Sequence, residues 1–206
     1  MVCRGKQERL LQVNKSMQIS GVLLAAGLSR RMGDDKLLVE YNGTKLLQCA
    51  VDLLRGLPVY ERILVTTEKR LSYVKIPSSI KVVINEKPEE GKSLSIQKGI
   101  KIATGTHYLF LQADQPKLTN ADINELLSTA MENSDKIIYP LIDNKPSSPT
   151  LFPLKYKSEL LSLKGDANGS EIRLKNIENA LAVKVNCPQN FSDIDTKKDI
   201  NSNPDY

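Results

Sequence analysis

The chain has 206 residues, which is long enough for one domain with a buried core. Its 40% hydrophobic and 26% charged residues are typical of a globular protein. The longest apolar run, near residues 22–28, is too short for a membrane helix, and charged residues interrupt the early chain where a secretory signal would be apolar. We therefore expect no membrane partner.

Charge and cysteine content narrow the location and the partners further. The net charge of +5 permits nucleic-acid binding, but the lysines are spread along the chain and form no stripe with aromatic residues. A nucleotide or another phosphorylated ligand is therefore favoured, and no nucleic acid is expected. Three widely spaced cysteines predict neither a disulfide framework nor a metal centre, which favours a cytoplasmic protein.

Domain boundaries are predicted from composition. Residues 1–18 are polar and predict a disordered N-terminal extension, and both Met1 and Met17 are candidates for the first residue. Residues 19–200 are predicted to form the domain, and 201–206 a C-terminal tail.

Apolar patterning predicts alternating strands and helices after this extension. A continuous apolar run at 19–25 is typical of a strand buried on both faces. Thr119 is predicted to cap a helix, with Asp122 completing a variant of the capping box. The other predicted elements, in chain order, are a helix at 44–57, strands at 62–66 and 81–85, a helix at 93–103, a strand at 108–113, the capped helix to about 132, a strand at 136–139 ended by Pro140, a loop at 146–149, helices at 154–163 and 170–179, and a strand at 181–185.

This alternation predicts a three-layer α/β domain with a mostly parallel mixed sheet. In such sheets ligands bind at the carboxyl ends of the strands. The loops that follow strands are therefore the places to search for a site.

The first such loop runs from Gly27 to Lys36. The backbone of this loop can approach a ligand closely because of the small residues Ala25, Ala26 and Gly27. Cations are supplied by Arg30, Arg31 and Lys36. A dinucleotide fingerprint is excluded because the intermediate glycine is missing. The alternative is that the small residues only permit close packing and that the basic residues are solvated.

The second loop, Glu90-Gly91-Lys92-Ser93, differs from a P-loop. The position of the first P-loop glycine is occupied by Glu86, whose carboxylate would repel phosphates. We interpret the segment as a loop in which Ser93 or Ser95 caps the following helix and contacts a ligand.

The third loop follows the apolar strand at 108–113. Asp114 is well placed there to bind Mg²⁺ together with triphosphate oxygens, although a turn-forming aspartate before a proline is the alternative. Asp193 or Asp195 is a candidate for a second metal ligand, and helix capping by Asp195 is the alternative. The single histidine, His107, is interpreted as structural because no candidate nucleophile accompanies it.

An ordered set of motifs in this chain resembles the MobA-like nucleotidyltransferases, and within them the molybdenum cofactor cytidylyltransferases. The first motif comprises Leu24-Ala25-Ala26-Gly27, Ser29-Arg30-Arg31-Met32-Gly33 and Asp35-Lys36-Leu37-Leu38. The others are the segment 85–99, Ala113-Asp114-Gln115-Pro116, Gly165-Asp166 and Asp193-Ile194-Asp195-Thr196. Together they cover roughly residues 20–200.

The resemblance implies the Rossmann-like fold of family-A nucleotidyltransferases and the transfer of CMP from CTP to molybdopterin, with Mg²⁺ as cofactor and pyrophosphate as the second product. A molybdoenzyme would then receive the cofactor. By position, Arg31, Lys36 and Asp114 would be catalytic, and Asp114 and Asp195 would bind the metal. The residues that would bind the nucleotide are Leu24, Ala25, Ala26, Gly27, Ser29, Arg31, Lys36, Ser95 and Asp114.

Ala26-Gly27 stands where the guanylyl branch of the family typically has two glycines, which favours cytidine. A guanylyltransferase, a sugar-phosphate pyrophosphorylase and a catalytically silent nucleotide-binding module remain alternatives.

The chain departs from the family on the acceptor side. Ser147-Ser148 replaces a Gly-His or Gly-Asn pair, and Glu171 lies near an expected arginine. A glutamate cannot bind the phosphate that the arginine would bind, but Arg173 or Lys175 would reach the same space from the next turn of a helix.

Overall fold

A mixed sheet of eight strands forms the middle layer of the computed structural model, which describes residues 17–28, 35–196 and 199. The spatial order of the main path is β10-β7-β9-β6-β1-β4-β5, and β8 pairs with β7. A separate hairpin contains β2 and β3. The strands are β1 (Ile19–Ala25), β2 (Glu40–Tyr41), β3 (Thr44–Lys45), β4 (Glu61–Thr66), β5 (Ile80–Ile84), β6 (His107–Gln112), β7 (Ile137–Ile142), β8 (Lys145–Pro146), β9 (Thr150–Pro153) and β10 (Ala180–Lys184).

Strand direction in the sheet is mostly parallel. β1 lies between β4 and β6 and is parallel to both, and the pairs β4–β5 and β7–β10 are also parallel. β9 lies antiparallel between β6 and β7. The carboxyl ends of β1, β4 and β6 therefore meet at one edge of the sheet.

Helices cover both faces of the sheet, as expected for three layers. One face packs against α1 (Leu46–Gly56) and α4 (Asn120–Glu132), in a core that contains Leu23 of β1. The other face packs against α3 (Lys92–Ile102), α5 (Lys157–Ser162) and α6 (Gly169–Lys175), in a core that contains Val22. Successive residues of a strand point to opposite faces, so the apolar residues of β1 are consecutive from Val22 to Ala25 because both faces are buried. A short helix, α2 (Glu68–Leu71), follows β4.

The predicted fold class is confirmed, and so is the cap of α4. The Thr119 hydroxyl accepts a hydrogen bond from the Asp122 backbone N–H at 3.3 Å, and the Asp122 carboxylate accepts one from the Thr119 N–H at 2.9 Å. Most other predicted elements are present with ends that differ by one or two residues.

Several predicted boundaries were wrong. The helix predicted from 44 begins at Leu46, because Thr44–Lys45 forms a hairpin across the turn Asn42-Gly43, whose φ angles of 50° and 76° suit that turn. The regions 154–163 and 170–179 are each divided into an α-helix and a 3-10 turn, the turns being Leu154–Tyr156 and Ile177–Asn179.

The strand predicted to end before Pro140 continues through it to Ile142. Proline lacks an N–H donor but keeps its carbonyl, which accepts a hydrogen bond from the Ser147 N–H at 3.0 Å, and its fixed φ is compatible with an extended chain. The predicted loop at 146–149 lies between two short strands, β8 and β9, that were not predicted.

At the start of the described chain, Met17 is buried in the core and Gln18 exchanges hydrogen bonds with Thr106. Residues 1–16 of the extension predicted at 1–18, and the predicted tail at 201–206, lie outside the described residues. In the part of the chain that is described, no helix has the length and apolar character needed to span a bilayer.

Candidate active site

A cleft of about 760 Å³ opens at the carboxyl edge of the sheet, where the sequence places its loops. It is lined by residues that follow β1 and β6 and by residues from the segments 146–150 and 166–173. Sequence-predicted residues that line it are Leu24, Ala26, Gly27, Lys36, Ser95, Asp114 and Asp195.

Lys36 lies at the centre of the charged part of this cleft. It begins a 3-10 turn that Asp35 caps, the Asp35 carboxylate accepting a hydrogen bond from the Leu37 N–H at 3.3 Å. The Lys36 ammonium then donates to Oδ2 of Asp114 and to Oδ1 of Asp195, at 3.0 Å in each case. Burial alone would lower the pKa of Lys36, but the two carboxylates outweigh it and raise the pKa above its ordinary value. The alternative of a solvated lysine is therefore wrong.

Asp114 follows β6 and presents one carboxylate oxygen without a partner. Its Oδ2 accepts from Lys36, whereas Oδ1 is buried and has no hydrogen bond. A buried, unsatisfied carboxylate oxygen favours binding of a cation. Among the described residues no three His, Cys, Asp or Glu side chains cluster closely enough to bind a metal. Two carboxylates, with phosphate oxygens completing the shell, nevertheless fit Mg²⁺, which is commonly bound by one or two carboxylates and substrate phosphates.

The segment 193–195 brings the other carboxylates to Asp114. The Ile194 N–H donates to the Asp114 carbonyl at 2.8 Å, which holds the segment against the end of β6. Desolvation and the negative charges of Asp114 and Asp195 raise the pKa of Asp193 to about 6. Since much of Asp193 is exposed, its negative neighbours are the stronger physical reason.

The helix that Asp195 would cap in the alternative interpretation includes residues 197 and 198, which lie outside the described residues. Among the described residues, the Asp195 carboxylate accepts from Lys36, and the backbone N–H groups of Asp195 and Thr196 donate to the Asp199 carboxylate at 2.9 and 2.7 Å.

Not every residue of the first loop reaches the cleft. Ala25 was predicted to bind nucleotide, but its side chain is buried in the core and its carbonyl accepts hydrogen bonds from Thr66 and Arg70. The predicted site residues Ser29 and Arg31, with their neighbour Arg30, lie outside the described residues.

The second loop contributes backbone and Ser95. Neither serine caps α3, because the helix begins at Lys92 and its N-cap is Gly91, which has no side chain. The Ser93 N–H donates to the Gly165 carbonyl at 3.1 Å instead, and the Ser95 hydroxyl accepts from Asn85 at 3.0 Å.

On the acceptor side, Ser147, Ser148 and Arg173 line the cleft. The Arg173 side chain stacks on the Tyr139 ring at 4.6 Å, and its Nε is buried without a hydrogen bond. Within the described chain it forms no ion pair with a carboxylate, so its charge is available to a ligand.

The other two candidates of the acceptor side do not reach the cleft. Glu171 is exposed and does not line it, and Lys175 pairs with Glu159 at 3.1 Å on the outer surface. The structure therefore favours Arg173 over Lys175 as the replacement for the missing arginine.

The sequence analysis did not identify Arg70 as a residue of the site, and its interpretation of His107 as structural is consistent with the structure. Arg70 lies in a run of charged residues that looks solvent-exposed, yet its guanidinium is buried beneath the first loop. The His107 ring contacts the Ser134 carbonyl at 2.7 Å, and burial lowers its pKa, as in a structural histidine.

The chain is similar in sequence to a known protein family and to a named relative. Residues 21–180 match the family model described as "MobA-like NTP transferase domain". A protein of Rhodopirellula baltica named "Probable molybdenum cofactor guanylyltransferase" is 30% identical over 124 residues, which are 57% of this chain and 58% of that protein. The alignment thus spans less than two thirds of the relative.

Solved structures show the same fold at low sequence identity. A complex of Rv0371C with manganese, from Mycobacterium tuberculosis H37Rv, has a TM-score of 0.66 and 21% identity, covering 81% of this chain and 89% of that one. A 4-diphosphocytidyl-2C-methyl-D-erythritol synthase from Anaerococcus prevotii has a TM-score of 0.71 and 19% identity, covering 92% and 95%. Because the family model matches most of this chain, the chain belongs to the family of MobA-like NTP transferase domains.

Proposed function

We propose that this MobA-like nucleotidyltransferase transfers CMP from CTP to molybdopterin and releases pyrophosphate, with Mg²⁺ bound by Asp114 and Asp195. The observation that carries the proposal is the Lys36 ammonium between two carboxylates at the carboxyl edge of the sheet, where one Asp114 oxygen is buried without a partner.

The reaction needs charge placement rather than a protein nucleophile. A phosphate oxygen of the acceptor attacks the α-phosphorus of the nucleotide, and the bond from that phosphorus to the pyrophosphate oxygen breaks. The attacking oxygen is already an anion, so no general base is required. The protein must hold two anionic reactants in line and stabilise the charge that develops on pyrophosphate.

Lys36 suits this task because two carboxylates hold its ammonium and its raised pKa keeps it protonated. Its ammonium would bind the triphosphate once phosphate oxygens compete with the carboxylates. Bound Mg²⁺ would supply further neutralisation of the phosphates, and such contributions are worth about a few kcal/mol of barrier each. Arg31 is expected to bind the triphosphate as well and stays a prediction.

Nucleotide choice rests on the first loop. Ala26 replaces the glycine that is typical of the guanylyl branch, which supports CTP, and Leu24, Gly27 and Ser95 line the same cleft. The name of the Rhodopirellula baltica relative favours GTP instead, so a guanylyltransferase is the second candidate.

Acceptor binding is assigned to Arg173. The residue is buried, its guanidinium lies over the Tyr139 ring, and it lines the same cleft as Ser147 and Ser148. A guanidinium binds phosphate through two parallel hydrogen bonds, so it would hold the terminal phosphate of molybdopterin. We also propose that the protein works in the cytoplasm and that a molybdoenzyme receives the product.

The test is pyrophosphate release from CTP, GTP and UTP, each with and without molybdopterin. Release from CTP that requires both molybdopterin and Mg²⁺ is expected, and EDTA should abolish it. Faster release from GTP would support the guanylyltransferase. Release only with a sugar phosphate would identify a pyrophosphorylase, and nucleotide binding without any release a silent module. Mn²⁺ is a useful comparison because the mycobacterial neighbour binds it.

A further inference from the structure

Arg70, on α2, is a buried arginine that connects the two described flanks of the first loop. Only 3% of the residue is exposed. Its guanidinium donates to the carbonyls of Ala25 and Gly27 at 2.6 and 2.7 Å, and to both oxygens of the Asp35 carboxylate at 2.8 Å. Among the described residues, no other arginine has a hydrogen bond or ion pair to Gly27, Asp35 or Lys36.

The two carbonyl contacts fix the direction of two peptide groups. In a trans peptide the C=O and the following N–H point in opposite directions. Because Arg70 binds the carbonyls of Ala25 and Gly27, the N–H groups of Ala26 and Leu28 point away from the guanidinium. Ala26, Gly27 and Leu28 all line the cleft. Arg70 thus also withdraws carbonyl oxygens that would repel an anionic ligand.

The third contact of Arg70, with the Asp35 carboxylate, connects it indirectly to Lys36. The Asp35 side chain caps the 3-10 turn that begins at Lys36, and the buried ion pair with Arg70 fixes that cap. Lys36 extends from this turn to Asp114 and Asp195. The Arg70 guanidinium therefore fixes both the direction of the backbone N–H groups of Ala26 and Leu28 and the position of Lys36.

We propose that Arg70 is a positioning residue for the nucleoside triphosphate: it acts through Ala25, Gly27 and Asp35 and touches no substrate itself. The role rests on the proposed function, because it presumes that the first loop binds a triphosphate. It predicts that removing the Arg70 guanidinium weakens nucleotide binding without weakening acceptor binding. The loss of nucleotide binding should be larger than the loss of protein stability explains.

Arg62 offers a matched control for a merely structural arginine. Its guanidinium also donates to two backbone carbonyls, those of Leu54 and Leu57, but near the start of β4 and away from the cleft. Arg62→Met should lower the melting temperature without changing CTP binding.

The experiment measures melting temperature, the Kd for CTP with Mg²⁺, and KM for CTP and for molybdopterin, in Arg70→Met, Arg70→Lys, Asp35→Asn and Arg62→Met. Arg70→Met should raise the Kd and KM for CTP about tenfold or more, with little change in KM for molybdopterin. Arg70→Lys should fall between it and the unaltered protein, because one ammonium cannot reach both carbonyls and the carboxylate. Asp35→Asn should raise the Kd for CTP less than Arg70→Met, since it keeps the carbonyl contacts.

Equal CTP binding by the Arg70 and Arg62 variants would overturn the positioning role, and so would parallel changes in both KM values. If Arg70→Met does not fold, the same comparison is made with Arg70→Lys and Asp35→Asn. Failure of the unaltered protein to bind any nucleoside triphosphate would overturn the proposed function itself, so the two failures are distinguishable.

Discussion

At the scale of single residues, the proposed binding of a metal cation in the cleft depends on Asp114, which follows the strand β6. Its Oδ2 accepts from Lys36, and its buried Oδ1 is free to bind a cation. Asp114→Asn keeps the size of the side chain but removes the negative charge. We expect the melting temperature to change little and turnover to fall on the order of a hundredfold or more. Pyrophosphate release at several Mg²⁺ concentrations measures this, and activity near that of the unaltered protein would refute the assignment.

Lys36 is the cation that the carboxylates of Asp114 and Asp195 share. Lys36→Met keeps the aliphatic stem but leaves Asp114 and Asp195 to repel each other and the incoming triphosphate. We expect a rise in KM for CTP and a fall in kcat, each about tenfold or more. Lys98→Met is the control, because Lys98 pairs with Glu86 outside the cleft lining. Steady-state kinetics of the two variants should differ clearly; similar kinetics would argue against Lys36.

On the acceptor side, the structure separates two residues that the sequence treats as equivalent. Arg173 lines the cleft, whereas Lys175 pairs with Glu159 on the surface. Arg173→Met should raise KM for molybdopterin about tenfold or more and leave KM for CTP nearly unchanged, because it removes a phosphate contact but keeps much of the packing on Tyr139. Lys175→Met should change neither value. Molybdopterin titrations that do not distinguish the variants would show that Arg173 is not used.

At the scale of secondary-structure elements, the pattern of apolar residues was sufficient to predict the buried strands and the long helices. Val22 and Leu23 face opposite cores, so the run that contains them predicts a central strand. β8 and β9 were missed because strands of two and four residues are too short to show a period. The turn at Asp143-Asn144 between β7 and β8, with φ angles of 47° and 62°, and the turn at Asn42-Gly43 between β2 and β3 are the local signals that would have indicated these hairpins.

The N-terminus of α3 depends on a glycine that contacts another loop. Gly91 has a φ of 99°, and a Cβ on it would lie 2.2 Å from the Gly165 carbonyl oxygen. Gly91→Ala should therefore destabilise the protein by about 2 kcal/mol or more and displace the loop that lines the cleft. Chemical denaturation measures the loss, with Gly43→Ala as control: its φ is 76°, but no atom lies within 4 Å of the added Cβ. Equal losses would show that backbone strain alone matters at Gly91.

At the scale of the whole molecule, the fold gathers the site from loops that are far apart in sequence. Lys36 and Asp114 could be predicted because each lies in a loop that follows a parallel strand, and such loops meet at one edge of the sheet. The ion pair between Lys36 and Asp195, and the burial of Arg70, could not be predicted. These depend on side-chain contacts across 159 and 45 residues of sequence, respectively, which no local pattern records.

The opposite end of the sheet carries a buried carboxylate that links several elements. Glu61 at the start of β4 accepts hydrogen bonds from the Ser20 hydroxyl at 2.6 Å, the Thr104 N–H at 2.6 Å and the Lys81 ammonium at 2.7 Å. Burial alone would raise its pKa, but these donors outweigh that effect and lower the pKa from 4.5 to about 2. The ionised form is therefore favoured in the folded protein.

Stability should consequently depend on pH through Glu61. The folded pKa lies below the unfolded value, so the contribution of Glu61 is complete above pH 4.5 and is lost as the pH falls towards 2. Glu61→Gln should lower the free energy of unfolding at pH 7 by on the order of a few kcal/mol, and this difference from the unaltered protein should shrink between about pH 5 and pH 2. Denaturation at pH 7 and pH 3 measures it. Glu86→Gln, in an exposed pair with Lys98, should show a much smaller difference at both pH values because solvent screens that pair. A Glu61→Gln difference of the same size at pH 7 and pH 3 would mean that the carboxylate's charge is not what stabilises this end of the sheet.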